Sequence, residues 1–460
     1  MSKIKIIFAG GAGTATGSNF LLEAGKVKIL VDCGLYQGEK LAEEENRGNF
    51  PFDPKSIDFL FITHAHLDHV GRIPKLTKEG FSGTIYSTPA TKDLAELVLE
   101  DSVGLLAKEA TRAGLVPIYE KSDIEKALVL WKTKKYHEEL LIDSGDKDIG
   151  NIKITLFDSG HILGSCMVVF DIKGKRFMFT GDLGNSPSPL LKDTEKVEGV
   201  NYLIMESVYG DRNHNHRDDR VDFLKNTIKK LIQKKGTLMI PAFSIERTQE
   251  LIFVFNEMVE NKEIPLIPVF LDSPLGINVT KVYQKYEKDF NENIENLVKK
   301  GEDIFSFAGL NISKTSEDSK AIALSPSPKI IIAGSGMSNG GRIVYHEARY
   351  LPDPKNTLLL VGYQAAGTMG RKLQNGMKKI RIHGEDVDVR AEVIEISGFS
   401  AHKDSNHLQE FAAEMKDSLE KVFVVLGEPK SQSFLAQRLI DIYHLPVTVP
   451  QLNDIIEIDI

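Results

Sequence analysis

Within residues 59–74, FLFITHAHLDHVGRIP, three of the chain's 12 histidines and an aspartate fall inside six positions. They follow Phe59, Leu60, Phe61 and Ile62, an apolar run that reads as a short strand buried on both faces. Desolvating His64, His66, Asp68 and His69 at the end of such a strand is costly unless something pairs with them. A loop that leaves the strand and folds back brings His64 and His66 to one centre, and Asp68 and His69 to a neighbouring one. Zinc takes imidazole nitrogen and carboxylate oxygen, and a catalytic zinc site keeps a position for water. A polar surface loop is the bland alternative, but H-x-H-x-D-H directly after a buried strand favours a metal.

Two further positions fit the same chemistry. His161 in DSGHILGS follows the strand-like ITLF, and Asp182 in FMFTGDLG ends another strand-like run. Alone, either is an ordinary turn residue. Together they supply a third histidine for one metal and a carboxylate able to bridge two. The elements that must position them are strands whose tips carry Gly, Asp or His. KIKIIFAG, KVKILVDCG, IDFLFITHA, GTIYSTPA, IKITLFDSG, SCMVVFDIKG, KRFMFTGDLG and VNYLIMES are eight such candidates in the first 210 residues, and chemistry collects on the loops they feed. LAELVLEDSVGLLAKEATRAG and DIEKALVLWKTKK have helical spacing. From TLMIPAFSIERTQEL onward the pattern changes to repeated strand–turn–helix units, the signature of a parallel sheet. Strand signals return in AEVIEISGFSA and KVFVVLGEP.

At 460 residues the chain is too long for one core and predicts two or three domains. Its hydrophobic and charged fractions, 42% and 27%, are those of a soluble globular protein. No secretory leader and no apolar span long enough for a membrane are visible. Cys33 and Cys166 are the only cysteines, too few for a disulfide framework, so a cytoplasmic location is expected. The net charge of −8 argues against a general nucleic-acid coat and requires any polyanion to meet a local positive site.

HAHLDH, SGHILGS and TGDLG, preceded by Asp32 in LVDCG, resemble the metallo-β-lactamase fold superfamily, an αββα sandwich with a dinuclear metal site at its strand ends. MESVYGDR, IPAFSIERTQEL, FLDSPLG, IIAGSGMSNGGR, LLVGYQAAGTMGRK and SGFSAHKD resemble its β-CASP nuclease branch. That branch includes the endonuclease subunit of eukaryotic pre-mRNA 3′-end processing and its bacterial and archaeal relatives. The resemblance covers essentially the whole chain. It implies a lactamase-like core of residues 1–207 and 378–460 with an inserted β-CASP α/β cap at 208–377. It implies one zinc on His64, His66 and His161, and a second on Asp68 and His69, with Asp182 bridging and Asp32 steadying the loop. It makes Glu206 an acidic residue beside the metals and His402 a proton donor, and it places Ser400 for a substrate phosphate. His137, His214, His216, His346 and His383 match no ligand position.

The activity so implied is a zinc-dependent ribonuclease that cleaves single-stranded RNA with metal-activated water, leaving 5′-phosphate and 3′-hydroxyl ends. Single-stranded RNA is the expected partner, and a homodimer is compatible with the pattern. GSGMSNGG, with its Gly/Ser turn, offers backbone N–H donors for phosphate or simply a tight turn. KKLIQKK and KKIRIH line an RNA path or are solvated faces. One departure stands out. VFVVLGEP carries Leu426 where RNA-cleaving members have the last histidine of the second zinc, and leucine cannot coordinate zinc. The second zinc is therefore expected to be the weaker one. Artemis-type DNA nucleases also carry an aliphatic residue there, which keeps a DNA nuclease as an alternative. A non-catalytic RNA-binding relative is the other. The chain ends soon after Leu426, so an appended RNA-binding module is not expected.

Overall fold

A computed structural model describes residues 3–38, 41–215 and 219–460. Two compact units account for them: residues 1–188, 192–213 and 402–460 form the first, and residues 189–191 and 214–401 the second.

The first unit is built on two seven-stranded mixed sheets. One runs Ile455–Asp459, Lys3–Phe8, Phe20–Ala24, Val27–Val31, Phe59–Phe61, Thr84–Ser87, Trp131–Thr133. The other runs Val447–Thr448, Lys421–Val424, Tyr202–Met205, Lys175–Phe179, Cys166–Ile172, Asn151–Asp158, Leu140–Asp143. Alternation decides which faces meet. In Asn151–Asp158 the residues Ile152, Ile154 and Leu156 are buried while their neighbours are not, as a period of two requires. They join Ile4, Ile6, Phe8, Phe20, Ile29, Phe61, Phe170 and Phe179 in the core between the sheets. Each such side chain contributes about 1.5–3 kcal/mol by leaving water. On its outer face the second sheet packs Met167, Met178 and Leu203 against Leu408 and Phe411 of helix Ser405–Ala413 and Leu435 and Leu439 of Pro429–Tyr443. Helix Pro89–Ala113 packs beside strand Trp131–Thr133 of the first, and Lys121–Val129 packs on Pro89–Ala113 and on Ile73–Lys78. This is the expected αββα sandwich.

All eight strand candidates are present. Helical spacing in DIEKALVLWKTKK predicts too long a helix. The helix stops at Val129, and Trp131–Thr133 becomes an edge strand beside Thr84–Ser87. There the Trp131 indole N–H donates to Ser87 Oγ at 2.8 Å, so pairing and a buried hydrogen bond override helical propensity.

The second unit is an all-parallel six-stranded sheet ordered Leu310–Ile312, Val269–Asp272, Lys329–Ala333, Thr237–Pro241, Thr357–Leu360, Glu392–Glu395. It is the α/β cap. The sequence reading returns the chain to the first unit at 378, but the strand Glu392–Glu395 pairs with Thr357–Leu360. Ile380, Ile382 and Val387 of the preceding hairpin share the core of Ile331 and Leu358. Residues 378–401 thus belong with the second unit. No described helix is long and apolar enough to cross a membrane.

Candidate metal centre

Every expected metal-binding residue leaves a strand of the first unit. Phe59–Phe61 feeds the loop with His64 and His66, and the short helix Leu67–Val70 carries Asp68 and His69. Asn151–Asp158 feeds His161, Lys175–Phe179 feeds Asp182, and Tyr202–Met205 feeds Glu206. His402 forms an isolated antiparallel bridge with Gly184. Glycine is required where the loops touch: a Cβ on Gly34 would lie 1.5 Å from the Asp68 carbonyl oxygen.

Four donor atoms converge. His64 Nε2 lies 3.1 Å from His66 Nδ1, which lies 3.2 Å from His161 Nε2. Asp182 Oδ2 lies 3.3 Å from His64 Nε2 and 3.4 Å from His161 Nε2. Donors about 2.0–2.1 Å from a tetrahedral zinc are separated by edges of about 3.3 Å. Four of the six donor pairs have about that spacing, all lie within 4.8 Å of one another and the donor chemistry is zinc's, so the groups fit a metal. They are also arranged at the expense of their own protonation. Burial, then neighbouring His69, lowers His64; burial, then His402, drives His161 well below the usual histidine range. His66 is likewise lowered by burial and by His64. Burial acts to raise Asp182, but His69 and His64 beside it hold it well below the carboxylate range. Neutral imidazoles facing an ionised carboxylate are what a cation binds.

His69 Nδ1 bonds Asp32 Oδ2 at 2.7 Å, and its buried Nε2 faces Asp182 Oδ1 at 3.4 Å without a hydrogen bond. Burial acts to lower its pKa, but Asp182 and Asp32 on either side raise it well above the usual range. A cation bound at Nε2 would replace a proton held there. Asp68, partly exposed, is raised by burial and feels both His69 and Asp182. It belongs to neither of the two compact donor sets among the described residues. The second of these joins Asp182 to Glu206 and His402.

Glu206 is fully buried, and its Oε1 and Oε2 accept the Leu183 and Val208 N–H groups at 2.6 and 3.3 Å. Burial raises its pKa. His402 Nδ1 lies 3.4 Å from Glu206 Oε1 and 3.9 Å from Asp182 Oδ2. Burial acts to lower His402, but Glu206 outweighs it and raises the pKa. The ring stands 4.6 Å from that of His161.

Leu426 is buried in the left-handed region at φ 48°, with its N–H on Gly11 O at 2.7 Å. Its side chain joins the core between the sheets, so close to Gly11 that a Cβ there would be 2.7 Å from Cδ2. In the second unit Ser400 caps the turn Ser397–Phe399 and is buried. GSGMSNGG is a tight turn: Gly334 O accepts the Ile343 N–H at 2.9 Å, and a Cβ on Gly341 would lie 2.4 Å from that oxygen. Of KKLIQKK, Lys229 and Lys230 are exposed and Lys234 pairs with Glu392; in KKIRIH, Lys379 pairs with Asp386. His346 bonds Asp272, His137 faces Glu195 and His383 stacks on Tyr345, while His137, His214, His346 and His383 join neither donor set. His216 lies outside the described residues. The sequence reading passes over Thr63 and Ser18, whose hydroxyls both donate to Asp32. The available signal is a hydroxyl residue directly before the histidine cluster.

Residues 12–242 match the model of the metallo-beta-lactamase superfamily, 248–373 that of the Beta-Casp domain, and 386–450 that of the Zn-dependent metallo-hydrolase RNA specificity domain. A ribonuclease of Thermus thermophilus is 36% identical over 405 residues, 88% of this chain and 90% of that one. An RNase J-like protein of Methanocaldococcus jannaschii is 32% identical over 98% of this chain and 99% of its own. The transcription termination factor FttA of Methanosarcina mazei is 32% identical over 93% of this chain and 67% of its own. A crystal structure of an Enterococcus faecalis protein of unknown function shares the fold over 99% of this chain and 100% of its own, at a TM-score of 0.55 and 13% identity.

Proposed function

This chain belongs to the β-CASP branch of the metallo-β-lactamase superfamily, and on that premise we propose that it is a zinc-dependent ribonuclease acting on single-stranded RNA. The observation that carries the reading is the four-donor cradle of His64, His66, His161 and Asp182, with Glu206 and His402 forming a second set on the same aspartate. RNA as the substrate is supported by the ribonuclease-named relatives and by the RNA specificity match at 386–450.

His64, His66, His161 and Asp182 would hold one zinc; Asp68 and His69, which the family pattern adds, would hold a second, weaker one with Asp182. Bound zinc supplies a water acidified to a pKa of about 7 and positive charge for a phosphoryl oxygen. The chain's own residues do the rest. Asp32 holds His69 so that Nε2 faces the centre. Glu206, fixed by two backbone N–H groups, presents Oε1 to His402 Nδ1. That contact favours protonated His402, whose Nε2 then donates a proton to the leaving 3′-oxygen. The products carry 5′-phosphate and 3′-hydroxyl ends.

A DNA nuclease is the second reading, favoured by Leu426. Cleavage of matched single-stranded RNA and DNA oligonucleotides with added zinc, followed by mapping of product ends, separates the two. RNA cut to 5′-phosphate ends with DNA left intact is expected. DNA cut at an equal or greater rate overturns the choice of RNA.

A further inference from the structure

We infer that Thr63 is a positioning residue through which one carboxylate, Asp32, sets the tautomer of the metal-binding His64, while the same carboxylate holds His69 directly. The inference rests on the metal centre proposed above and adds to it a residue that the ligand pattern does not contain.

Asp32 is buried, follows the strand Val27–Val31 and adopts φ 60°. Its Oδ1 accepts the Thr63 N–H at 2.8 Å, and its Oδ2 accepts the Ser18 hydroxyl at 2.9 Å. The Thr63 hydroxyl oxygen lies 3.1 and 2.9 Å from Oδ1 and Oδ2. Both Asp32 oxygens already accept hydrogens, and a hydroxyl has one hydrogen and two lone pairs. The single hydrogen of Thr63 therefore goes to Asp32. On its other side the same oxygen lies 3.0 Å from His64 Nδ1. With its hydrogen committed, it can only accept there, so His64 carries its proton on Nδ1. His64 Nε2 is left as a lone pair facing His66 Nδ1 and Asp182 Oδ2.

The opposite tautomer places lone pair against lone pair at Thr63 and an N–H inside the donor cradle. His69 receives the same orientation directly, Nδ1 on Asp32 Oδ2 at 2.7 Å. One carboxylate thus orients both rings, one by contact and one through a hydroxyl, as metal-binding histidines generally need. Thr63 also touches the other side of the centre. A Cβ on Gly181 would lie 2.6 Å from Thr63 Cβ, so the residue that orients His64 abuts the residue preceding Asp182.

Valine fills threonine's volume without the hydrogen, and serine keeps the hydrogen without the methyl. The test is Zn2+ affinity of the full-length, metal-stripped protein, measured by competition with a chromophoric chelator. Thr63→Val should weaken the tightest site by about 10–100-fold, the range for losing a residue that orients a ligand. Thr63→Ser should stay close to the parent. Parent-like affinity in Thr63→Val, or an equal loss in Thr63→Ser, overturns the inference. Should Thr63→Val fail to fold, the unaltered protein decides. Long-range 1H–15N correlations of the 15N-histidine-labelled, metal-free chain should place the His64 proton on Nδ1, and a proton on Nε2 overturns it. A parent that binds no zinc defeats this inference together with the metal centre. A parent that binds zinc and cuts RNA, with Thr63→Val unchanged, defeats this inference alone.

Discussion

Glu347 lies in helix Ile343–Tyr350 with no exposed surface. Its Oε1 accepts the Ser338 hydroxyl at 2.5 Å, and its Oε2 has no hydrogen-bond partner among the described residues. Burial pushes the carboxyl from 4.5 up to about 8, against the smaller opposing pull of Ser338. The folded chain therefore holds a proton that the unfolded chain has released above about pH 4.5. The associated stability is complete below that pH, is lost as pH rises toward about 8, and changes no further beyond it. A shift of about 3.5 units at 1.36 kcal/mol each sets a ceiling of about 5 kcal/mol. Glu347→Gln keeps an acceptor for Ser338 and removes the ionisation. Urea unfolding of both proteins from pH 5 to pH 9 is the assay. At pH 5 the two should agree within about 1 kcal/mol, and by pH 8.5 the variant should be the more stable by about 3–5 kcal/mol. Two curves that run parallel across that range would refute the reasoning, because they would mean that Glu347 folds already ionised.

Two further outcomes follow from the metal centre. His402→Ala should keep bound zinc and slow cleavage by about 10²–10⁴-fold, the range for a positioned acid; loss of zinc in that variant would make His402 a ligand instead. Limited chelation should remove one zinc first and depress activity while the site of His64, His66 and His161 stays filled. Leu426→His should raise retention of the second metal only if the ring can leave the core beside Gly11, since an unpaired buried nitrogen costs about 1–3 kcal/mol. Equal tightness of both zincs in the parent protein would show that another residue completes the site.

The donor set was legible because its residue types are wrong for their neighbours. Three imidazoles and a carboxylate after a buried strand demand a partner; of these His64 and His66 lie together with His161 and Asp182, while Asp68 and His69 join neither compact donor set among the described residues. The strands were legible from alternation, as in Asn151–Asp158. What was hidden depends on long-range pairing. Nothing local in WKT distinguishes the end of a helix from an edge strand, because the deciding contact is with Ser87. The strand Glu392–Glu395 reads as a strand, but which sheet it joins is set by Thr357–Leu360. Thr63 and Ser18 are unremarkable residue types, and their part appears only once Asp32 is seen between them. Leu426 was identified as a missing imidazole, while its left-handed backbone and its contact with Gly11 required coordinates.

Asp182 would hold the metal centre together, since its two oxygens face His64 and His161 on one side and His69 on the other. The most direct measurement is metal content by mass spectrometry of the parent and of Asp182→Asn, alongside cleavage of a 5′-labelled single-stranded RNA. The account predicts bound zinc and cleavage to 5′-phosphate ends in the parent, with zinc reduced and cleavage abolished in the variant. Near-parent cleavage by Asp182→Asn, or cleavage by a parent stripped of all metal, would contradict it.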